Sequence, residues 1–151
     1  MDVEPQSIQV LAPLKAGVCG IENLNKVLQE KINPPSPNKR QVEFGHSIFR
    51  EGDKIMQMSN NYDLEWKKHG RFADETGRGV FNGDIGYIST IDPNTSEVVV
   101  EFEDGRICLY TRPDLIDLSL SYAITIHKSQ GSEFDTIIIP AIAGPSIILT
   151  R

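Results

Sequence analysis

The sequence contains very little cysteine: Cys19 and Cys108 are the only two among 151 residues. They lie far apart, and His46, His69 and His127 show no ligand-like spacing. A structural zinc site needs about four Cys or His ligands at short spacings. The sequence therefore predicts no metal site, and it predicts two buried free thiols in a reducing compartment instead of a disulfide.

Long hydrophobic runs and nucleotide-binding loops are also missing. No apolar run approaches the roughly 20 residues that span a membrane, and no signal peptide is visible. We therefore expect a cytoplasmic protein with no membrane partner. No G-x-x-x-x-G-K-[ST] stretch occurs, so the chain lacks the loop that holds ATP phosphates. No Ser-His-Asp or paired-acid arrangement can be identified either, and we expect no catalytic residue in this chain.

The formal charge of -6 argues against a bulk polyanion binder, although an acidic protein can still carry a local positive groove. The length suits one ordinary domain or two small ones that share a core.

Ile8–Pro13 reads as a short strand. Helical spacing of apolar residues follows and stops at the proline-rich segment 33–38; these apolar residues are Ile21, Leu24, Val27, Leu28 and Ile32.

The middle of the chain has a different pattern. Short strand candidates, separated by Gly, Asp and Asn turns, occur at 55–58, 86–91, 97–102 and 106–110. A long polar loop is expected at 66–79. Because several short strands with tight turns are typical of a small barrel, we predict a barrel inserted into an α/β layer. The apolar run 135–142 predicts a buried strand of that layer.

The segment from Asp117 to His127 is ambiguous. Leu118, Leu120, Tyr122, Ile124 and Ile126 alternate as in a strand, while part of the same set could line one helix face. Periodicity alone favours the strand.

The densest polar cluster is Thr125–Phe134. Its hydroxyl groups, His127 and Lys128 can donate to phosphate oxygens, while Gln130 can contact a base or a nucleotide. Gly131 allows close approach of the backbone to a phosphate. The alternative interpretation is a helix end with a polar last turn, closed by Gly131.

Two further polar groups lie in the middle region. Asn60, Asn61 and Tyr62 suit stacking and hydrogen bonding to single-stranded bases, or they form an ordinary turn. Phe81–Asp84 offers the same chemistry, although Asn82-Gly83 is a hairpin-turn signal in its own right and a plain turn is the simpler interpretation. A third group comprises the loop cations Lys67, Lys68, Arg71 and Arg78, which could track a nucleic-acid backbone, although a solvated loop is the simpler interpretation.

The motifs together resemble the RecD-type superfamily 1 DNA helicases, the family of the exodeoxyribonuclease V alpha subunit. Thr125–Phe134 resembles their motif V, and Gln9–Gly17, with Leu24-Asn25 and Leu28-Gln29, resembles their motif IV region. The inserted Src-homology-3-like barrel of these enzymes is matched by Gly52–Gln57, Asn60–Asp63 and Val80–Gly86.

The resemblance implies a partial second RecA-like domain, α/β in class, that carries a small Src-homology-3-like barrel. Residues 1–46 would form the first RecA-like part, 47–115 the barrel, and 116–151 the return to the RecA-like domain. The family has a helix before motif V, which implies a helix over Asp117–Lys128 in place of the strand that alternation favours.

The resemblance also implies roles for individual residues. Thr125, His127 and Lys128 would lie near the DNA backbone, and Asn60, Asn61 and Tyr62 would line the path of the strand. Gln130, Gly131 and Glu133 would face the ATP cleft. The family moves 5′ to 3′ on single-stranded DNA by hydrolysing ATP, with Mg²⁺, between two RecA-like domains.

The first of those two domains, with its P-loop, is not in this sequence. Leu149-Thr150-Arg151 resembles the residues just before the family's motif VI, so Arg151 is not assigned as the arginine finger. We therefore expect an inactive fragment whose partners are single-stranded DNA and the missing motor domain. A free-standing nucleic-acid- or protein-binding barrel and the helicase portion of a conjugative relaxase are the alternatives.

Overall fold

The computed structural model describes residues 7–141 as two β-sheets that pack together, one helix and a small hairpin. The helix, α1, covers Ile21–Ile32. The strands, in chain order, are β1 Ile8–Ala12, β2 Gln41–Phe44, β3 Ser47–Arg50, β4 Lys54–Gln57, β5 Asn61–Lys68, β6 Glu75–Val80, β7 Ile85–Asp92, β8 Glu97–Phe102, β9 Arg106–Tyr110, β10 Leu118–Leu120, β11 Ala123–Thr125 and β12 Thr136–Ile138. Short 3₁₀ turns cover Arg112–Asp117 and His127–Ser129.

The smaller sheet is parallel, has the order β11-β1-β12 and joins the two ends of the described chain. Val10 pairs with Ala123 on one side of β1, and Ile8 pairs with Thr136 on the other. Helix α1 is fixed to β11 by the buried amide of Asn25, which bonds both the N–H and the C=O of Ala123 at 2.9 Å. The predicted strand at 8–13 and the predicted helix are confirmed.

The larger sheet lies between β1 and β11 in sequence. It is antiparallel and has the order β10-β4-β7-β8-β9-β5-β6, with the hairpin β2–β3 beside it. The predicted strands at 97–102 and 106–110 are β8 and β9, with the same limits. Its apolar interior is built mainly from alternate residues of the strands, including Phe49, Ile55, Ile88, Ile91, Val98, Val100 and Tyr110.

Strand β4 of the seven-stranded sheet contributes side chains to both hydrophobic cores. All four of its residues are buried because both of its faces are covered. Ile55 packs into the interior of the seven-stranded sheet, where Gln57 accepts a 2.7 Å hydrogen bond from the Tyr110 hydroxyl. Met56 points the other way and packs with Leu11 of β1. Strand alternation therefore lets one four-residue strand serve two cores.

A buried carboxylate ties the helix, the turn before β4 and the later strands together. Asp53 has no exposed surface and accepts four hydrogen bonds. The donors are Gln29 Nε2 at 2.7 Å, Asn33 Nδ2 at 2.8 Å, the Arg50 N–H at 2.7 Å and the Tyr122 hydroxyl at 2.9 Å. Burial raises the pKa of the Asp53 carboxyl, and the hydrogen bonds oppose that shift. The Asp53 network therefore connects segments up to 69 residues apart.

The prediction of a helix over Asp117–Lys128 is wrong. The segment forms a 3₁₀ turn that ends at Asp117, then β10 and β11, then the second 3₁₀ turn. Leu118 and Leu120 are buried in the antiparallel core, and β10 pairs with β4. The alternation of apolar residues was the correct signal. A helix here would leave both sheets without an edge strand, because this segment supplies one strand to each.

The prediction of a long polar loop at 66–79 is also wrong. Residues 61–68 and 75–80 are the paired strands β5 and β6, so only 69–74 form a loop. Polar residues fit these strands because cross-strand charges pair: Arg78 Nη2 lies 2.7 Å from Glu65 Oε1. Gly77 leaves room for the Trp66 ring, since a Cβ at that position would lie 2.4 Å from it.

The predicted strand at 135–142 is shorter and more exposed than expected. Its described part is β12, in which Ile137 and Ile138 are about half exposed; residues 142–151, including Arg151, lie outside the described part. Both cysteines are free, with Cys108 buried and Cys19 only half-buried. No helix within residues 7–141 is long and apolar enough to cross a membrane.

The expected domain limits of 1–46, 47–115 and 116–151 stay a prediction. The β2–β3 hairpin runs across the first limit. Strand β10, beyond the second limit, belongs to the seven-stranded sheet.

Replacing Asp53 with Ala should destabilise the chain by about 3 kcal/mol or more, because buried donors on Gln29, Asn33 and Tyr122 lose their acceptor. Urea unfolding followed by tryptophan fluorescence measures the change. Asp63→Ala, at an exposed position in β5, is the matched control and should shift the free energy of unfolding by less than about 0.5 kcal/mol. Equal effects of the two substitutions would contradict a central role for Asp53.

Candidate nucleic-acid interface

The polar loop, defined as residues 126–135, leaves the carboxyl end of β11. Its first turn is held by its own hydroxyl groups: Ser129 Oγ donates to the Ile126 carbonyl at 2.6 Å, and the Lys128 N–H donates to Thr125 Oγ1 at 3.3 Å. Gly131 then takes a φ of +85°, a conformation that favours glycine. The hydroxyls of Thr125 and Ser129 are therefore used to shape the loop, and Gly131 closes a 3₁₀ turn instead of an α-helix.

The position of this loop follows from the parallel sheet. Strands β1 and β11 run in the same direction, so the loop after Ala12 and the polar loop leave the same edge. Open α/β sheets bind ligands beyond the carboxyl ends of their strands. Gln130, Gly131 and Glu133 are exposed at this edge. They are thus accessible to a ligand.

A turn of the seven-stranded sheet lies next to the polar loop. The Asp84 N–H donates to the Phe81 carbonyl at 3.0 Å, and Gly83 has a φ of +99° while Asn82 does not have a positive φ. This is the pattern of a type II turn. Arg106 holds it by pairing with Asp84 at 2.7 Å. The Asn-Gly pair therefore forms the expected turn, but of a type different from the common hairpin turns.

A chain of hydrogen bonds joins that turn to the polar loop. The Lys128 ammonium donates to Asn82 Oδ1, the Asn82 N–H donates to Asn60 Oδ1 at 2.9 Å, and Asn60 Nδ2 donates to the Tyr62 hydroxyl at 3.1 Å. The Tyr62 ring meets the Phe81 ring edge to face, with centroids 6.0 Å apart. We call Asn60, Tyr62, Phe81, Asn82 and Lys128 the contact patch.

The contact patch presents aromatic surface to solvent. Tyr62 is 67% exposed and Phe81 is 43% exposed. Exposed aromatic rings beside amides and one ammonium group are what a single strand of nucleic acid can use, through base stacking and phosphate contact.

The structure brings together three of the six residues predicted to bind DNA: Asn60, Tyr62 and Lys128. Asn61 is different, because its Oδ1 accepts the N–H groups of Asp63 at 3.2 Å and Leu64 at 3.1 Å. It shapes the start of β5, as the turn interpretation of this segment proposed. His127 is exposed and Thr125 half-buried, beside Lys128 on the same turn.

Phe81 and Asn82 belong to the contact patch, although Asn82-Gly83 predicted mainly a turn. The turn is present. In this turn the Asn82 N–H also donates to Asn60 Oδ1, 22 residues away, and Phe81 adds an exposed ring. An aromatic residue next to a turn signal was the clue, since a turn by itself does not require one.

Two of the four cations of the β5–β6 hairpin, Lys67 and Arg78, are paired with acids. Lys67 Nζ lies 2.7 Å from Asp74, and His69 Nδ1 lies 2.9 Å from the same carboxylate. Hydrogen bonds from Lys67 and His69 lower the pKa of Asp74. Arg78 pairs with Glu65 in the same way. These pairs favour a solvated, charge-paired surface, which was the simpler interpretation of the sequence, over a phosphate-binding one. Among residues 7–141 no cluster of three or more His, Cys, Asp or Glu side chains could hold a metal ion.

Comparison with known families gives two matches along the chain. Residues 24–102 match the family described as the ATP-dependent RecD-like DNA helicase SH3 domain. Residues 120–148 match the UvrD-like helicase C-terminal domain. The first match covers most of the seven-stranded sheet, and the second begins at the end of β10 and includes the polar loop.

Individual relatives agree with these matches. An ATP-dependent RecD2 DNA helicase of Deinococcus radiodurans is 33% identical over 89% of this chain, and the RecBCD enzyme subunit RecD of Buchnera aphidicola subsp. Schizaphis graminum is 29% identical over 85%. The chain spans only 16% and 19% of their lengths. A solved Pif1 helicase structure superposes with a TM-score of 0.49, at 20% identity, over 88% of this chain and 32% of that one.

Proposed function

Because the chain belongs to the RecD-like DNA helicase family, we propose that it is the part of such a helicase that contacts single-stranded DNA next to the ATP cleft. The observation that carries this proposal is the hydrogen-bond chain from Lys128 through Asn82 and Asn60 to Tyr62. It puts a residue of the polar loop and an exposed aromatic pair into one surface.

Each part of the contact patch suits a different part of a DNA strand. The Lys128 ammonium group pairs with a phosphate, and His127 and Thr125 flank it on the same turn. Tyr62 and Phe81 stack on bases without sequence preference, because every base has a π face. Asn60 and Asn82 bond to base edges or sugar oxygens. The overall charge of -6 limits the affinity, so binding depends on these local contacts.

The other side of the polar loop is proposed to face ATP. Gln130, Gly131 and Glu133 lie at the carboxyl edge of the parallel sheet, where a nucleotide with its Mg²⁺ would bind between this chain and a P-loop domain. In that arrangement Gln130 contacts the nucleotide, Gly131 lets the backbone approach it, and Glu133 accepts from a ribose hydroxyl or a basic partner. The chain would then couple 5′ to 3′ movement on DNA to hydrolysis, in recombination or repair.

The chain should bind fluorescein-labelled oligo(dT) weakly, with a Kd of about 10⁻⁴–10⁻⁶ M, and salt should weaken the binding. Tyr62→Ala should raise Kd at least about fivefold, since stacking contributes about 1–3 kcal/mol per base. Fluorescence anisotropy at low and high salt measures both effects.

Phe72→Ala is the matched control, because Phe72 is an aromatic residue that is 96% exposed in the loop 69–74. It should leave the Kd unchanged. Equal losses for Tyr62→Ala and Phe72→Ala, or no binding by the unaltered chain at low salt, would contradict the proposed interface.

The chain by itself should not hydrolyse ATP, with or without oligo(dT), because its sequence lacks a P-loop. Phosphate release measured against a buffer blank tests this. An ATPase activity above the blank that co-purifies with the chain would contradict this prediction. It would show that these residues contain another phosphate-binding element.

In a protein that joins this chain to the P-loop domain, Gln130→Ala and Glu133→Ala should reduce DNA-stimulated ATP hydrolysis more than DNA affinity. The physical reason is that these residues lie on the nucleotide side of the polar loop. Parallel ATPase and anisotropy titrations make the comparison. If DNA affinity falls more than ATPase activity, the two sides of the loop have been assigned wrongly.

A further inference from the structure

The polar loop is attached to the seven-stranded sheet at a second point besides Lys128. Phe134, near the end of the loop, packs on a small apolar cluster formed by Leu11, Met56, Ile85 and Ile124. Met56 and Ile85 come from β4 and β7 of the seven-stranded sheet. Leu11 and Ile124 come from the parallel sheet, so Phe134 lies at the junction of the two.

Lys54 covers this junction. It is a cation with only 3% of its surface exposed, and its ammonium nitrogen lies 6.0 Å from the centroid of the Phe134 ring. The same nitrogen is 3.5 Å from the Ile8 carbonyl oxygen at the start of β1. Burial lowers the pKa of Lys54, and the nearby Glu103 opposes that shift. A buried ammonium group facing an aromatic ring favours one position of that ring.

The two attachments bracket the residues proposed to face ATP. Lys128 is held by Asn82 before them, and Phe134 is held by Met56 and Lys54 after them. The intervening segment contains Gly131 with its φ of +85° and makes a backbone hydrogen bond of 3.1 Å from the Ser132 N–H to the Ser129 carbonyl. Its backbone path is therefore constrained at both ends by the seven-stranded sheet.

We propose that the seven-stranded sheet positions the polar loop through these two anchors, and that Asn82 and Lys54 are positioning residues for Gln130 and Glu133. The importance of this role rests on the proposed function, but the anchors exist without DNA. A DNA strand that competes for Lys128 or Asn82 releases the first anchor while Phe134 stays in place. Occupancy of the contact patch is thereby transmitted to the Gln130–Glu133 segment.

Amide hydrogen exchange of the whole chain, without DNA, tests the anchors directly. Asn82→Ala should speed exchange at least about threefold in peptides that cover residues 127–133. Lys54→Met removes the ammonium group but keeps the side-chain length, and it should speed exchange around Phe134. Asn94→Ala, in another exposed turn of the same sheet, should leave the loop unchanged.

The conservative variant Asn82→Asp separates the role of Asn82 in positioning the polar loop from a general effect on folding and from direct contact with DNA. Its carboxylate still accepts a hydrogen bond from Lys128, so loop protection should match that of the unaltered chain. The added negative charge should nevertheless weaken oligo(dT) binding in the anisotropy assay.

Unchanged loop exchange in both Asn82→Ala and Lys54→Met would overturn the proposal. So would a uniform rise that extends to β7 and β8, because it would indicate general loss of stability. If the loop responds as expected but no oligo(dT) binding is detected, the anchors stand and the proposed function fails. If DNA binds at the contact patch while the loop does not respond, only the positioning role fails.

Discussion

The buried carboxylate of Asp53 is the interaction on which the arrangement of this chain depends. It accepts hydrogen bonds from the end of helix α1, from the backbone before the β3–β4 turn and from Tyr122 just before β11. A buried charge without partners is costly, so this arrangement is stable only when all these segments are in place at once. Together with the Asn25 contact to β11 and the shared strand β4, the Asp53 network fixes the helix and both sheets relative to one another.

The shared strand β4 gives that constraint its functional consequence. It begins directly after Asp53, and its residues alternate between the two cores: Ile55 and Gln57 face one, Lys54 and Met56 the other. Any displacement of β4 would therefore move the surface on which Phe134 packs. The polar loop is a short irregular segment, and its position is set by the sheet behind it more than by its own few hydrogen bonds.

The contact patch is the surface that we propose for single-stranded DNA on an acidic chain. Its binding chemistry is concentrated in two aromatic rings, two amides and one ammonium group, while hairpin cations such as Lys67 and Arg78 are paired with acids. Stacking depends little on net charge, so such a surface can be local and selective for unpaired strands. In the proposed function, the placement of the patch against the polar loop matters more than the strength of its binding.

Much of the local structure could be predicted from the sequence. Helical spacing with a proline-rich end located α1, and alternation between Gly and Asp turns located β8 and β9, because these signals arise from neighbouring residues. The motifs also pointed to the family, since Thr125–Phe134 and Gly52–Gln57 are short continuous segments. At 118–126 the alternation of apolar residues predicted a strand and the family resemblance implied a helix; the structure has strands there, as the alternation predicted.

What only the tertiary structure decided involves partners distant in sequence. The pairing of β10 with β4, the polar β5–β6 hairpin, the four donors around Asp53 and the Lys128–Asn82 contact each join residues that no periodicity links. The polar strands β5 and β6 have the composition of a loop, and only their cross-strand charge pairs show that they form a hairpin. Asn82 has the sequence signature of a turn residue, and only the fold shows that Lys128, 46 positions later, bonds to it. The sequence by itself determined α1, β1, β8, β9 and the chemical groups available, because these depend on adjacent residues. The fold decided which groups share a surface, because that depends on how the chain closes on itself.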